Sequence, residues 1–457
     1  MSETQTNSAS LDLLLEVTGR RRAGLTDALR EAVRSGRLAP GTRLPASRAL
    51  AADLGIARST VTECYAELVA EGWLVARQGS GTVVAPRAEA RPPQRPAGPP
   101  PMRGLTPGSM EFAEFPRAQW LASARRALAA APFSAFGYGD PAGNPELRVA
   151  LADYLSRVRG VRAEPERIVV CSGFHNGLGL VARALQARGV RAIGVESYGL
   201  GLYRALLEDL GLGIPPLTVD EGGARTGDLR DLGVGAVLLT PAHQFPSGVA
   251  LSPERRLAAL EWARTSGGFI LEDDYDGEFR YDRRPVGALQ GLDPERVVYF
   301  GTASKSLAPA LRVGWMVLPH DLVDDVLAAK GRVELVSVLD QLTLADFIAS
   351  GGFDRHLRAR RQRYRRRRDE LIAALAVAAP AVRVTGMAAG LQAVLELPDG
   401  TERATVEEAA RQGLMVSGLA EYRYGAPEAR DALVVNYSTV SDSAWEGALR
   451  VLAAVLA

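Results

Sequence analysis

The sequence predicts two folded units of different class: a small helical unit closed by a β-hairpin, then a large α/β unit with a mostly parallel sheet. Three observations predict it. Residues 86–107 lose their apolar periodicity and hold eight prolines in 22 positions, a composition that makes a semi-rigid, polyproline-like linker. Before them, three helical stretches lead into two short apolar runs around a Gln-Gly-Ser-Gly turn. After them, short apolar runs alternate with helical stretches, the pattern of an α/β sheet. The expected division is a unit at 1–85, a linker at 86–107 and a unit at 108–457.

At 457 residues the chain is too long for one ordinary core, and its 47% apolar content is enough to fill two or three. Its 54 basic and 53 acidic residues leave a net charge of +1. That excludes a protein that simply coats polyanions but not one with a local nucleic-acid site. Cys64 and Cys171 are the only cysteines. They exclude a disulfide framework and a cysteine-rich zinc site, and fit a reducing compartment. No run of about eighteen uncharged apolar residues marks a membrane span, and the polar stretch Met1 to Ser10 lacks the apolar core of a signal peptide. A cytoplasmic location away from the membrane is expected. No repeat of solenoid length recurs. Lys305 and Lys330 are the only lysines, so any chemistry that needs a side-chain amine has two candidates.

In the small unit, Thr26 is placed to cap a first helix carrying Leu25, Leu29, Ala32 and Val33 on its apolar face, with Gly36 after its end. A short helix follows at 47–54, stopped by Gly55. Ile56 to Thr60 opens a third, with Val61, Cys64, Tyr65, Leu68 and Val69 on one stripe. Trp73 to Arg77 and Thr82 to Val84 form the hairpin. Three helices and a hairpin are the outline of a winged helix-turn-helix. In that docking geometry the first turn of the third helix, here Arg58, Ser59 and Thr60, faces base edges and phosphates of the major groove. Arg43 and Arg48 flank the second helix and Arg77 lies at the wing. A small interaction module with solvated arginines is the plainer alternative.

The runs Ser35 to Arg48, Ala57 to Leu68 and Glu71 to Thr82 closely resemble the GntR-type winged helix. The resemblance implies contacts to double-stranded DNA from Arg43, Ser47, Arg48, Arg58, Ser59, Thr60 and the wing from Arg77 to Gly79. With ten arginines against nine acids over 1–85, one copy is expected to bind modestly, and a dimer is needed.

In the large unit, strands are expected at 167–171, 190–195, 236–240, 269–271 and 296–300, with helices such as 253–266 between them. Ligands of such sheets sit at the strand C-terminal ends, and three ends carry polar residues. Ser172, Gly173 and Phe174 precede a helix, where free N–H groups favour an anion; the same turn is common without a ligand. Asp273 and Tyr275 follow a buried strand, where a carboxylate can hold a pyridinium nitrogen protonated and a phenol can reach a ring hydroxyl. A metal site or loop-capping acids are the alternatives. Lys305 stands in Thr-Ala-Ser-Lys-Ser (302–306). If buried, its amine is depressed in pKa and free to form a Schiff base with an aldehyde; if exposed, it is a surface lysine. Thr302, Ser304 and Arg312 surround it in sequence and are suited to a phosphate.

Together with Phe136 to Arg148 and Thr240 to Gly248, these segments resemble the fold-type I aminotransferases, which use pyridoxal 5′-phosphate (PLP). The order of winged helix, proline-rich linker and aminotransferase-like domain resembles the MocR/GabR family of PLP-dependent regulators. That resemblance implies PLP held covalently on Lys305, Asp273 at the pyridine nitrogen and Tyr275 near the ring hydroxyl. It places Ser172, Gly173, Phe174, Thr302, Ser304, Arg312 and His243 around the phosphate or ring, and by analogy it implies a homodimer.

Two departures stand out. Glu196-Ser-Tyr198-Gly-Leu200 puts Leu200 where the family has an aromatic ring, with Tyr198 nearby. The late strand 432–437 lacks the arginine that would clamp a substrate carboxylate; Arg423 and Arg430 lie just before it. In addition, nine arginines crowd residues 355–368, which reads as a solvated helix, with a phosphate-contacting surface or a subunit contact as alternatives. The expected function is a DNA-binding regulator whose aminotransferase-like domain senses a small-molecule amine or PLP. A working aminotransferase with an attached DNA-binding unit is the second reading, and a regulator with a degenerate, cofactor-free sensor the third.

Overall fold

The computed structural model describes residues 21–77, 81–86, 103–108, 110–281, 286–425 and 430–457. Its chain divides into two compact units, residues 1–98 and 99–457.

In the first unit, α1 (Arg21–Arg34), α2 (Ser47–Asp53) and α3 (Arg58–Ala70) precede a hairpin of β1 (Leu74–Arg77) and β2 (Gly81–Val84). The strands pair antiparallel from Leu74–Val84 to Arg77–Gly81. Leu25, Leu29, Val61, Cys64, Leu68, Leu74 and Val84 are buried together, so each predicted apolar stripe faces one core. Thr26 is not a cap. It lies inside α1, where its hydroxyl donates to the Arg22 carbonyl (3.3 Å). The helix runs back to Arg21, and Arg22 pairs with Glu63 (3.1 Å) and Glu67 (3.3 Å) across on α3.

The second unit is built on a seven-stranded sheet. Its strands are β3 (Ile168–Cys171), β4 (Ile193–Glu196), β5 (Pro216–Leu217), β6 (Ala236–Leu239), β7 (Phe269–Asp273), β8 (Val297–Thr302) and β9 (Gly314–Val317). The order across the sheet is β3-β9-β8-β7-β6-β4-β5. Only β9 runs against its neighbours. β7 and β8 each run two residues beyond the predicted apolar run. Both are central strands, and ladder pairing of Asp273 with Phe300 and of Thr302 with Gly314 carries them past the last hydrophobic residue.

A second, four-stranded sheet comprises β10 (Arg383–Thr385), β11 (Gln392–Glu396), β12 (Ser417–Gly418) and β13 (Ala432–Asn436), in the order β10-β11-β13-β12. Leu105, inside the predicted linker, belongs to this unit. It is fully buried, its N–H donates to Met415 (2.8 Å), and its carbonyl accepts from Asn436 (2.7 Å).

The arginine-rich segment lies on a helix, Gly352–Ala378, and is not simply solvated. Arg360, Arg363 and Arg367 form a buried stripe at helical spacing. Arg367 donates to the Tyr437 carbonyl and to Asp442 (both 2.9 Å), and its guanidinium carbon sits 5.2 Å from the Trp445 ring centroid. Arg363 pairs with Glu114 and Asp442. The stripe fastens the helix to the C-terminal strand and helix, while Arg355, Arg358, Arg365 and Arg366 face outward.

Candidate functional site

Strand direction decides what meets at the carboxyl edge of the large sheet. Because β9 is antiparallel, its first residue, Gly314, pairs with Cys171 and Thr302, the last residues of β3 and β8. Arg312 arrives at that edge with it, in a left-handed conformation (φ 50°), and its guanidinium donates to the Ser172 carbonyl. Gly173 caps the helix Phe174–Ala187 with φ +91°. A Cβ on Gly314 would lie 2.8 Å from the Gly173 Cα, so two backbones touch there and only glycine fits. Phe174 is buried and edge-packed on Tyr203 and Phe300. Thr302 donates through its hydroxyl to Ser304 (2.9 Å) and accepts from the Ser304 N–H (3.1 Å). Ser172, Gly173, Phe174, Thr302, Ser304 and Arg312 thus gather helix-end N–H groups, three hydroxyls and a guanidinium, a cradle suited to an anion.

Asp273 ends β7 at the sheet centre. Its acidic neighbours are otherwise engaged. Glu272 accepts from the N–H groups of Leu289 (2.7 Å) and Gln290 (2.9 Å). Asp274 forms a buried two-point pair with Arg159 (2.6 and 3.0 Å) and accepts from the Tyr299 hydroxyl (2.8 Å). Asp276 meets Nδ1 of His243 at 2.8 Å. Asp273 is left facing the cleft, and burial beside Asp274, Asp276 and Glu196 pushes its carboxyl well above the usual range. Such a group ionises when a cation arrives to pair with it. The Tyr275 hydroxyl accepts from Gln392 (3.0 Å) and lies 3.1 Å from His243 Nδ1. Nε2 of His243 is buried and has no hydrogen-bond partner among the described residues.

The two lysines are placed oppositely. Lys330 is buried and fully used, donating to the carbonyls of Pro141 (2.7 Å) and Val170 (2.9 Å) and pairing with Glu334 (3.0 Å). Lys305 is half-buried, lines the same cleft as Asp273 and Tyr275, and makes one long contact to the Gly108 carbonyl (3.4 Å). Burial lowers its pKa, and Asp276 and Asp273 only partly restore it.

The cleft is an open one, with about 840 Å³ of empty space that includes the solvent at its mouth. Amine, carboxylate and phenol line it, and the anion cradle joins it through Phe174, whose ring packs on Tyr203 of the cleft wall. That donor set fits PLP: the amine for its aldehyde, the carboxylate for its ring nitrogen, the cradle for its phosphate.

Sequence reasoning missed several lining residues. Glu196 ends β4, where burial pushes its carboxyl up to about 7 although Thr240 (2.5 Å) and Gln244 (3.2 Å) donate to it; its place at a strand end was a usable signal. Gln392 and Asn436 come from the second sheet, and nothing local marks them. Tyr198 and Leu200 both line the cleft, but the ring that meets Phe174 is Tyr203. Neither suspected clamp lines it: Arg430 donates to Glu396 (2.6 Å) and borders a separate cavity, and Arg423 is exposed.

On the first unit, Arg58 and Ser59 open α3, Ser47 and Arg48 open α2, and Arg43 precedes it, so Arg48 lies within the helix it was expected to flank; all but half-buried Ser47 are exposed, and Thr60 is half-buried. The Arg77 backbone closes the hairpin, and Gly79 lies outside the described residues. Charge is segregated. Asp27, Glu31, Glu63, Glu67 and Glu71 pair with Arg22, Arg30 and Arg34. Among the described residues, Arg43, Arg48 and Arg58 form no ion pair. A nearly neutral unit therefore keeps these three arginines exposed and without an acid partner among the described residues.

Residues 104–452 match the family of aminotransferase class I and II, and residues 22–84 the gntR family of bacterial regulatory proteins. The chain is 33% identical to the HTH-type pyridoxine biosynthesis transcriptional regulator PdxR of Corynebacterium glutamicum, over 91% of each chain. It is 34% identical to the probable rhizopine catabolism regulatory protein MocR of Rhizobium meliloti, over 90% of this chain and 88% of that one. An archaeal alanine:glyoxylate aminotransferase shares the fold, with a TM-score of 0.71 and 24% identity over 87% of this chain and 94% of that one. No described helix is long and apolar enough to cross a membrane. The small unit is a DNA-binding domain, the large one a PLP-dependent aminotransferase-like domain, and the chain belongs to the MocR-like family of HTH-type transcriptional regulators.

Proposed function

We propose that this chain is a cytoplasmic, homodimeric regulator that holds PLP on Lys305 and reads a small-molecule effector, an amine or PLP itself, as a change in operator affinity. The observation that carries this reading is that Lys305, Asp273 and Tyr275 share one cleft while Lys330, the only other amine, is fully engaged. In the reading, Asp273 pairs with the ring nitrogen and Tyr275 hydrogen-bonds near the ring hydroxyl. His243 sits beside Tyr275 at that end, and Ser172, Gly173, Phe174, Thr302, Ser304 and Arg312 hold the phosphate. When bound, PLP supplies an aldehyde that exchanges between amines; Lys305 binds it, and its depressed pKa keeps the amine reactive.

DNA is read by Arg43, Ser47, Arg48, Arg58, Ser59, Thr60 and the wing at Arg77 and Gly79, with residues 1–85 as reader, 86–107 as linker and 108–457 as sensor. The C. glutamicum relative is named for pyridoxine biosynthesis, which favours PLP as effector. Phe133 and Tyr138, each 96% exposed, are aromatic surface that a second copy would cover. Coupling requires the ligand to bind two arrangements of the protein unequally. The test is operator binding by the PLP-loaded protein across a panel of amines, with and without PLP. No shift in affinity with any ligand would remove the sensor reading.

A further inference from the structure

We propose that the outward face of the helix Gly352–Ala378 is a second contact for the DNA backbone, so that the sensor unit grips phosphates beyond those met by the winged helix. The proposal rests on DNA as the partner of the first unit and adds a surface to it. Between residues 355 and 368 the chain holds nine arginines and no acid. The helix divides them. Arg360, Arg363 and Arg367 are buried, whereas Arg355, Arg358, Arg365 and Arg366 are exposed, with exposed Gln362 between the two pairs. At 3.6 residues per turn these five positions share one face about 100° wide and about 16 Å long.

The buried arginines take up the nearby acids. Arg363 pairs with Glu114 and Asp442, and Arg367 with Asp442. The outward four are left nearly bare. Among the described residues Arg358 has no ion pair or hydrogen bond, and Arg355 has only a 3.4 Å contact to the Ser350 carbonyl. Arg365 meets Asp369 at 4.0 Å, and Arg366 meets Glu370 at 3.8 Å and Asp442 at 3.9 Å. Long, exposed pairs of this kind contribute little. Glu370 also accepts from the Trp445 ring N–H (2.6 Å), and Asp442 is already shared by the two buried arginines. Like charges at helical spacing repel one another, so the stripe gains when an anion covers it.

The length of the stripe selects a polymeric anion. A single small anion covers one or two guanidinium groups, whereas duplex DNA presents one phosphate charge per about 1.7 Å of its axis. Each guanidinium fork matches a phosphate in two-point geometry. The same chain carries a DNA-binding domain, which brings a duplex to it. With a net charge of +1 over the whole chain, the attraction is local to this face.

The experiment uses full-length, PLP-loaded protein and a random-sequence duplex of about 60 base pairs, with affinity read by fluorescence anisotropy between about 50 and 200 mM salt. Each phosphate neutralised contributes about 0.9 to the slope of log affinity against log salt. That slope should become shallower by roughly 3 to 4 per chain in R355Q/R358Q/R365Q/R366Q, and by roughly half as much in R355Q/R358Q or R365Q/R366Q alone. Lysine at all four positions should keep it, and PLP uptake should be unchanged. R403Q/R411Q, an equal loss of charge on the exposed residues of the helix Glu402–Arg411, should leave it nearly unmoved. An unchanged slope in the quadruple glutamine variant overturns the proposal. So does an unchanged slope in both double variants, should the quadruple one not take up PLP. A loss as large in R403Q/R411Q as in the doubles overturns it as a general effect of charge. A loss accompanied by dissociation in light scattering overturns it in favour of a subunit contact. Failure of the winged-helix reading shows separately, as a slope that R43Q/R48Q/R58Q does not move.

Discussion

The hydroxyl of Tyr275 lies 3.1 Å from Nδ1 of His243, and both side chains are held from behind, the ring by Asp276 and the phenol by Gln392. Two polar groups that follow neighbouring strands, β6 and β7, are thus held by a residue of the loop after β7 and one of the second sheet. Y275F should weaken PLP retention by about 1 kcal/mol, the typical worth of one hydrogen bond. H243A should weaken it without moving the site of attachment. Equilibrium dialysis followed by absorbance measures both, and undiminished retention in Y275F would take the phenol out of the site.

Borohydride reduction of PLP-loaded protein should fix the cofactor on Lys305. The peptide is identified by mass spectrometry. Label on Lys330, or visible absorbance surviving in K305A, would refute the assignment, because Lys330 can only react by abandoning two carbonyls and Glu334.

On DNA, R58A should cost roughly 1–3 kcal/mol at the specific site if Arg58 pairs with a base. Fragment 1–85 should bind far more weakly than the full chain, since a dimer raises the effective concentration of the second reader. Fluorescence anisotropy at fixed salt reads both, and equal affinity of fragment and full chain would show that the large unit takes no part.

Stability should fall as pH rises from about 4.5 to about 7. Glu196 is buried and its folded-state pKa is raised to about 7 from 4.5. The folded chain therefore keeps a proton that the unfolded chain has lost. Each such group withdraws about 1.4 kcal/mol per pH unit within that window and a constant amount above it. Glu272 and Glu278 behave alike. E196Q should gain on wild type between pH 5 and 7 and hold that gain at pH 8, measured by thermal melts. A gain that does not change with pH would contradict the assignment.

Regulator and enzyme are separated by a paired assay. Common amino acids with 2-oxoglutarate or pyruvate should turn over far below the roughly 10 per second typical of enzymes, while one small molecule shifts operator affinity. Fast multiple turnover with no ligand effect on DNA binding would make transamination the primary activity.

What was legible in the sequence was local. The apolar stripes of α1 and α3, the hairpin and the alternation of short strands with helices follow from periods of two and 3.6 residues and from turn chemistry within a few residues. Scarcity of lysine narrowed the amine to two positions, and strand-end residues marked Asp273, Ser172 and Thr302. Thr26 failed as a cap because the helix already runs through it, its hydroxyl donating to the Arg22 carbonyl one turn back.

The sequence by itself determined two units, their classes and the chemical groups available to each. Only the tertiary structure decided which of those groups meet. Strand order and the reversal of β9 brought Arg312 to Ser172, and Gln392 and Asn436 reached the cleft from a second sheet. Burial turned Arg360, Arg363 and Arg367 from a charged run into an internal fastening. Periodicity is written over a few neighbouring residues, whereas pairing, desolvation and the meeting of strand ends depend on residues tens to hundreds of positions apart.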